Sequence, residues 1–185
     1  MHHEVLHFVW EKKYLFPQHF NNSRVLEIGS RSVTDQPTIR CHFQDCDYTG
    51  VDISDGLYVD VVSKGHEFKS DKLFDTAISC ECFEHDPFYK KTIMNMIDNL
   101  RPKGLLIFTC ASTGRSEHGT RKSSPESSIE GLHPKDFEYD MFQDYYKNLV
   151  ADDFKSIPGF NDKMFGQYWV SNEGSSDLYF YGFKR

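Results

Sequence analysis

The feature that most restricts this chain is an alternation of short, near-continuous apolar runs with stretches of helical or turn character. Arg24-Val25-Leu26-Glu27-Ile28-Gly29 reads as a first strand, residues 48–53 as a second and 59–62 as a short third; residues 74–79 and 105–109 follow as a fourth and fifth. Runs this apolar suit parallel strands covered on both faces. The clearest helix is expected from Asp86-Pro87, an N-cap acceptor followed by proline at the first helical position. Tyr89, Ile93, Met96, Ile97 and Leu100 then share one face, and Arg101-Pro102-Lys103-Gly104 ends it. An opening helix over 4–14, a helical stretch over 136–148 and a turn near Asp152-Asp153 complete the pattern. Residues 167–170 and 178–183 are strand-like, and a link this short permits only an antiparallel pair. The expected chain is therefore α/β. Five strands interleave with helices and a terminal hairpin follows, giving a doubly wound, mostly parallel, seven-stranded sheet in a three-layer αβα arrangement. At 185 residues this is one domain, with a helical segment over 1–20 and an insertion over 112–148.

Lys and Arg number 21 against 28 Asp and Glu, a net charge of -7. Neutralising phosphates needs clustered cations, so nucleic acid is not an expected partner. The longest apolar run, Leu105 to Phe108 with Cys110 and Ala111 beyond it, falls far short of the roughly 20 residues a bilayer-spanning helix needs. No membrane partner is expected. The opening segment mixes Glu4, Lys12 and Lys13 with its apolar residues and lacks a small-residue cleavage site, which reads as a cytoplasmic protein rather than a secretory leader. Cys41, Cys46, Cys80, Cys82 and Cys110 form an odd set with no CxxC pair. They are expected to be buried thiols, with no disulfide framework and no metal site.

In open α/β sheets ligands lie beyond the carboxyl ends of the strands. After the first strand, Gly29 permits a sharp turn and a close backbone approach, but the pyrophosphate fingerprint GxGxxG is absent. A nicotinamide oxidoreductase is disfavoured on that ground. Asp52 ends the second strand 23 residues beyond Gly29, a distance at which a carboxylate accepts hydrogen bonds from ribose hydroxyls. The pair suggests an adenosine ligand without a diphosphate, although an Asp ending a strand also serves as a helix cap.

VLEIGS, YTGVDIS, FDTAISCECFEH and NLRPKGLLIFTCA, in that order and spacing over residues 20–111, resemble the successive motifs of class I S-adenosylmethionine-dependent methyltransferases of the small-molecule type. The resemblance implies a Rossmann-like fold and S-adenosylmethionine as cofactor. It implies that Glu27, Gly29 and Ser30 line the methionine moiety, that Asp52 and Ile53 meet the ribose and adenine edge, and that Ser79, Cys80 and Glu81 lie under the cofactor. Ser30-Arg31-Ser32 stands where the family has further glycines, and Arg31 there would face the cofactor carboxylate. Lys64 stands where an acidic residue often meets the adenine amino group.

Methyl transfer from a sulfonium is an in-line displacement, so the protein mainly positions the acceptor; a hydroxyl acceptor also needs its proton removed. His85, after the fourth strand, and His118, in the polar segment Thr113-Gly114-Arg115-Ser116-Glu117-His118-Gly119-Thr120, are the candidate bases. Arg115 and Glu117 beside His118 suit a polar acceptor, and Gly114 and Gly119 would hinge residues 113–120 as a lid. Tyr145 and Tyr146, with Tyr139 and Phe142, are candidate pocket walls, although aromatics at helical spacing are also ordinary core. No histidine pairing is readable for Cys80, Cys82 or Cys110, so a cysteine nucleophile is not expected. The resulting reading is a methyltransferase acting on a small polar acceptor, an oxygen of a sugar or metabolite. Two others stay open: a non-catalytic S-adenosylmethionine-binding regulatory module, and an RNA or tRNA methyltransferase using Arg115, Arg121 and Lys122. Nothing in the sequence points to an oligomer.

Overall fold

A computed structural model describes residues 3–33, 38–125, 137–172 and 176–185. Helix α1 (His3–Leu15) leads into strands β1 (Arg24–Ile28), β2 (Asp47–Asp52), β3 (Val61–Val62) and β4 (Phe74–Cys80). Helix α2 (Tyr89–Asn99), strand β5 (Leu100–Ala111), helices α3 (Phe137–Asp144) and α4 (Ala151–Lys155), and strands β6 (Phe165–Ser171) and β7 (Asp177–Lys184) follow. The strands lie in the order β3-β2-β1-β4-β5-β7-β6. The first five pair in parallel; β7 runs antiparallel to both β5 and β6.

Period-two alternation on strands buried on both faces divides the core in two. Leu26 and Ile28 of β1, Ala77 of β4, Leu106 and Phe108 of β5 and Phe180 of β7 face Ile93, Met96 and Ile97 of α2 and Phe154 of α4. Val25, Ile78, Leu105, Ile107 and Tyr179 face the other way, onto Val5, Phe8 and Val9 of α1. The sheet is thus the middle of three layers, with its apolar runs where the sequence places them.

Three expectations need correction. Among the described residues the connections on the β1–β3 side carry no α-helix: a 3-10 turn (Ile39–His42) precedes β2, and the links around β3 are turns. Only residues 53–60 separate β2 from β3, too few for a helix to cross and return. Helix α2 begins at Tyr89 rather than at Asp86-Pro87. The Asp86 carbonyl accepts from the Tyr89 N–H in a turn of its own, while its carboxylate reaches forward, Oδ1 accepting from the Phe88 N–H at 2.7 Å and Oδ2 from Thr92 Oγ1 in α2 at 2.5 Å. Finally, Cys80 and Cys110 are buried free thiols, but Cys46 and Cys82 are half-buried and Cys41 is exposed, because its turn buries Ile39 instead.

The segment between β5 and α4 leaves and rejoins the sheet at one place. The Leu149 N–H donates to the Ala111 carbonyl at 2.9 Å, and the Ser112 N–H to Ser176 at 2.7 Å. Residues 126–136, which include the first residue of the expected 136–148 helix, lie outside the described residues.

Candidate active site

At the carboxyl ends of β1, β2 and β4 the chain leaves the sheet and encloses a cavity of about 740 Å³, within the range of small-molecule sites. Gly29 has φ +78° and donates its N–H to Val51 at 2.9 Å; a Cβ there would lie 2.6 Å from Cys82 Sγ. The turn therefore needs glycine for its conformation and for the space. Glu27, Gly29, Ser30, Arg31, Asp52 and Ile53 all line the cavity, as do Cys80 and Glu81.

Polar groups at this end are held mainly by backbone. Asp52 Oδ2 accepts from the Arg31 N–H at 3.0 Å and Oδ1 from the Ser54 N–H at 3.1 Å. Burial raises its carboxyl above the ordinary range against those two bonds. Arg31 leans over it, Nε 3.9 Å from Oδ1. Glu27, buried in β1, accepts a hydrogen bond from Tyr48 Oη at 2.8 Å, and burial pushes its carboxyl up to about 8. Ser30 Oγ is buried in the cavity wall with no hydrogen-bond partner among the described residues. A bare glycine turn, an orphaned hydroxyl and a carboxylate fixed at a strand end fit an adenosyl ligand carrying an amino-acid tail. Ser79 does not join them: its hydroxyl donates to the Ile28 carbonyl at 2.8 Å and ties β4 to β1. Lys64 also turns elsewhere, its Nζ 3.8 Å from Glu67.

The opposite end is built from β4, the 3-10 turn Phe83–His85 that follows it, and the segment after β5. Glu81 adopts φ +54°, a strained conformation for a side-chain-bearing residue. Thr109 Oγ1 donates to Glu81 Oε1 at 3.1 Å, and Arg115 approaches Oε2 at 3.6 Å while its other nitrogen holds Asp177 Oδ1 at 3.0 Å. Burial, then the Asp177 charge, raises the Glu81 carboxyl.

His85 and His118 meet here edge to face, their ring centroids 4.9 Å apart, and both line the cavity. Burial lowers His85 to about 4, with the His118 charge adding to the shift, so His85 is neutral at physiological pH. Arg115, Glu117 and His118, neighbours in sequence, separate in space. Arg115 pairs with Asp177 and Glu81, Glu117 Oε1 accepts from Thr120 and Ser123, and His118 turns to His85. Arg115 and Glu117 nevertheless line the cavity. Burial pushes the thiols of Cys80, Cys82 and Cys110 well up, leaving them protonated and unreactive.

Of the aromatic candidates, Phe142 lines the cavity. Tyr146 stands behind the wall, edge-on to His85 at 5.5 Å and to His118 at 5.0 Å. Tyr145 is half-buried and is not part of the lining, and the side chain of Tyr139 lies outside the described residues. The sequence reading missed Ser63, Gly65 and Asp86 in the wall, and Glu84, which is fully buried behind His85. A signal for Glu84 was present: it directly precedes His85, just beyond the carboxyl end of a strand, where ligands sit in such sheets.

Strand order, reversed last strand and cavity together define the class I S-adenosylmethionine-dependent methyltransferases. A family described as a methyltransferase domain matches residues 3–149, and the chain belongs to it: it is an S-adenosylmethionine-dependent methyltransferase. No curated protein matches the sequence. The solved N-methyltransferase NodS from Bradyrhizobium japonicum WM9 is 14% identical with a TM-score of 0.55, over 98% of this chain and 94% of that one. The Burkholderia thailandensis 1,6-didemethyltoxoflavin-N1-methyltransferase, solved with 1,6-didemethyltoxoflavin and S-adenosylhomocysteine, is 14% identical with a TM-score of 0.61, over 97% of this chain and 78% of that one. The CurJ carbon methyltransferase is 18% identical with a TM-score of 0.60, over 98% of this chain and 53% of that one. At these identities the likeness is one of fold. No described helix is long and apolar enough to cross a membrane.

Proposed function

We propose that this methyltransferase acts on an oxygen of a small polar acceptor, a sugar or related metabolite. The observation that supports this is one cavity running from Gly29 and Asp52 to the His85–His118 pair, with residues 114–119 among its lining. A space of about 740 Å³ is on the scale of small-molecule sites. The Burkholderia neighbour, with a small heterocycle bound, illustrates that scale.

On this reading Asp52 receives the ribose hydroxyls, Ile53 borders the adenine, and Glu27, Gly29 and Ser30 flank the methionine tail, with Arg31 toward its carboxylate. Cys80 and Glu81 lie beneath the donor. S-adenosylmethionine, when bound, supplies an electrophilic methyl group on sulfur. The chain orients the acceptor oxygen, keeps water out and takes charge of the acceptor's proton, which His85 and His118 handle at the wall. Arg115 and Glu117 border the acceptor, and residues 113–120 close over it about Gly114 and Gly119, both at positive φ.

The test is incubation with methyl-labelled donor and a panel of sugars and metabolite extracts. Label should appear in a small polar product together with S-adenosylhomocysteine. His85→Ala and His118→Ala should each lower turnover by about 10²-fold with donor affinity nearly unchanged. Amide exchange over 113–120 should slow when donor product and acceptor are both present. Label transferred only to RNA, with a salt-sensitive gel shift, would overturn the small-acceptor reading.

A further inference from the structure

We infer that Glu84, His85 and His118 form a site for a divalent transition-metal ion at the acceptor end of the cavity, and that the acceptor's hydroxyl oxygen binds this ion. The inference rests on the oxygen-acceptor reading above and gives its acceptor side a chemistry.

Among the described residues this is the one place where three His, Cys, Asp or Glu side chains bring ligand atoms within 4.8 Å of one another. Glu84 is 0% exposed, and among the described residues its carboxylate has only backbone N–H groups beside it, its own and that of Ala111, with no side-chain donor and no cation. Buried polar groups are nearly always partnered, and a buried carboxylate calls for a cation or several donors. A protonated His85 would supply that cation only by turning a ring N–H onto the carboxylate, yet its buried Nδ1 is without a partner among the described residues. A buried carboxylate with no charged partner beside an imidazole nitrogen with no partner points to a third species between them.

The imidazoles are arranged to serve as ligands. His118 Nδ1 lies 3.0 Å from the Ser116 carbonyl, which only accepts, so Nδ1 is the donor there and Nε2 is the ring nitrogen left to face a ligand. A backbone carbonyl behind a ligating imidazole is the usual device for fixing its tautomer and orientation. Tyr146 braces both rings, and its hydroxyl is anchored on the Ser116 carbonyl at 3.1 Å and on Asn148 at 3.0 Å. Gly119 lets the loop lie against the other ring: a Cβ there would come within 2.8 Å of His85 Cε1.

His85 and His118 line the cavity while Glu84 lies behind them, so an ion on this triad keeps coordination positions on the cavity side. Two imidazoles and one carboxylate with open positions form the donor set of catalytic Zn²⁺ and its first-row neighbours; Mg²⁺ and Ca²⁺ prefer oxygen ligands. Such an ion lowers the pKa of bound water to about 7, and a bound hydroxyl is acidified in the same way. The hydroxyl proton passes to water at the cavity mouth. The oxygen's electron pair then forms the bond to the methyl carbon while the carbon–sulfur bond breaks and its pair stays on sulfur. In this arrangement His85 and His118 would hold the ion that acidifies the acceptor hydroxyl, and water rather than either imidazole would receive the proton.

Co²⁺ is the probe, added to the chelator-stripped protein and read by its visible d–d bands and by calorimetry. One ion per chain should bind with the intense bands of a four- or five-coordinate site. Glu84→Gln and His118→Ala should each weaken binding by about 100-fold or more, since even an outer-sphere partner is worth 10- to 100-fold. Both variants should keep S-adenosylhomocysteine affinity within about twofold of wild type, as expected for separate sites, which shows that they fold. Co²⁺ that does not bind, or that binds wild type and both variants alike, overturns the ion site even where S-adenosylhomocysteine binds normally. Co²⁺ bound as described by a protein that fails to bind S-adenosylhomocysteine upholds the ion site and overturns instead the donor placement on which the proposed function rests.

Discussion

At the end of the cavity proposed for the donor the positions that matter are fixed by backbone: Gly29 donates to Val51, and Asp52 is gripped by the N–H groups of Arg31 and Ser54. At the end proposed for the acceptor they are fixed by side chains from segments far apart in sequence: Arg115 bridges Glu81 and Asp177, and His118 meets His85. Backbone contacts between neighbouring strands tolerate exchange of most side chains. A side-chain network with two nearly buried carboxylates fails when one member is removed. The two ends should therefore respond to mutation in opposite ways, one in donor affinity and the other in stability.

The sharpest break at the donor end is Gly29→Val. It forces a branched side chain into positive φ and against Cys82, and calorimetry should find no measurable S-adenosylhomocysteine binding. At the other end, Arg115→Met leaves two carboxylates facing each other. Chemical denaturation should show a loss of about 2–3 kcal/mol, with donor affinity within about threefold of wild type. Asp52→Ala should weaken donor binding at least tenfold with little change in melting temperature, because charge-assisted hydrogen bonds contribute about 1.5–3 kcal/mol each. Unchanged affinity would remove Asp52 from the ribose.

The smallest effect is one of pH. The folded Glu27 keeps its proton up to about 8, whereas the unfolded chain releases it near the ordinary 4.5. Between those values the native state binds more protons, so stability falls as pH rises. The loss from pH 7 to 8 should be about 1 kcal/mol, given ~1.4 kcal/mol per proton per pH unit. In Glu27→Gln that dependence should flatten; a wild-type slope in the variant would mean that Glu27 is already ionised.

The same contrast decides what was legible in the sequence. Gly29 and Asp52 announce themselves because strand ends lie near them in the chain, so a local motif carries the geometry. Arg115 and Asp177 are 62 residues apart and Glu84 and His118 belong to different loops, so no local pattern brings them together. The strands were readable from apolar runs covered on both faces. The helices expected on the β1–β3 side were not, because alternation alone does not reveal that the links around β3 are too short. Asp86-Pro87 misled for a related reason: the acceptor was real, but the chain makes one turn from Asp86 to Tyr89 before the helix begins, and the carboxylate reaches forward to Phe88 and Thr92.

The hydrogen bond from Leu149 to Ala111 makes residues 112–148 a closed excursion, beginning and ending at a single point of the sheet. Doubling the length of such an excursion costs only about 0.6 kcal/mol of closure entropy. Most acceptor-side groups, His118 included, travel with that excursion, whereas Glu84 and His85 stay with the sheet. Descendants of this chain can therefore exchange one wall of the cavity wholesale, keeping the Gly29–Asp52 end intact and two of the three residues of the Glu84–His85–His118 cluster in place.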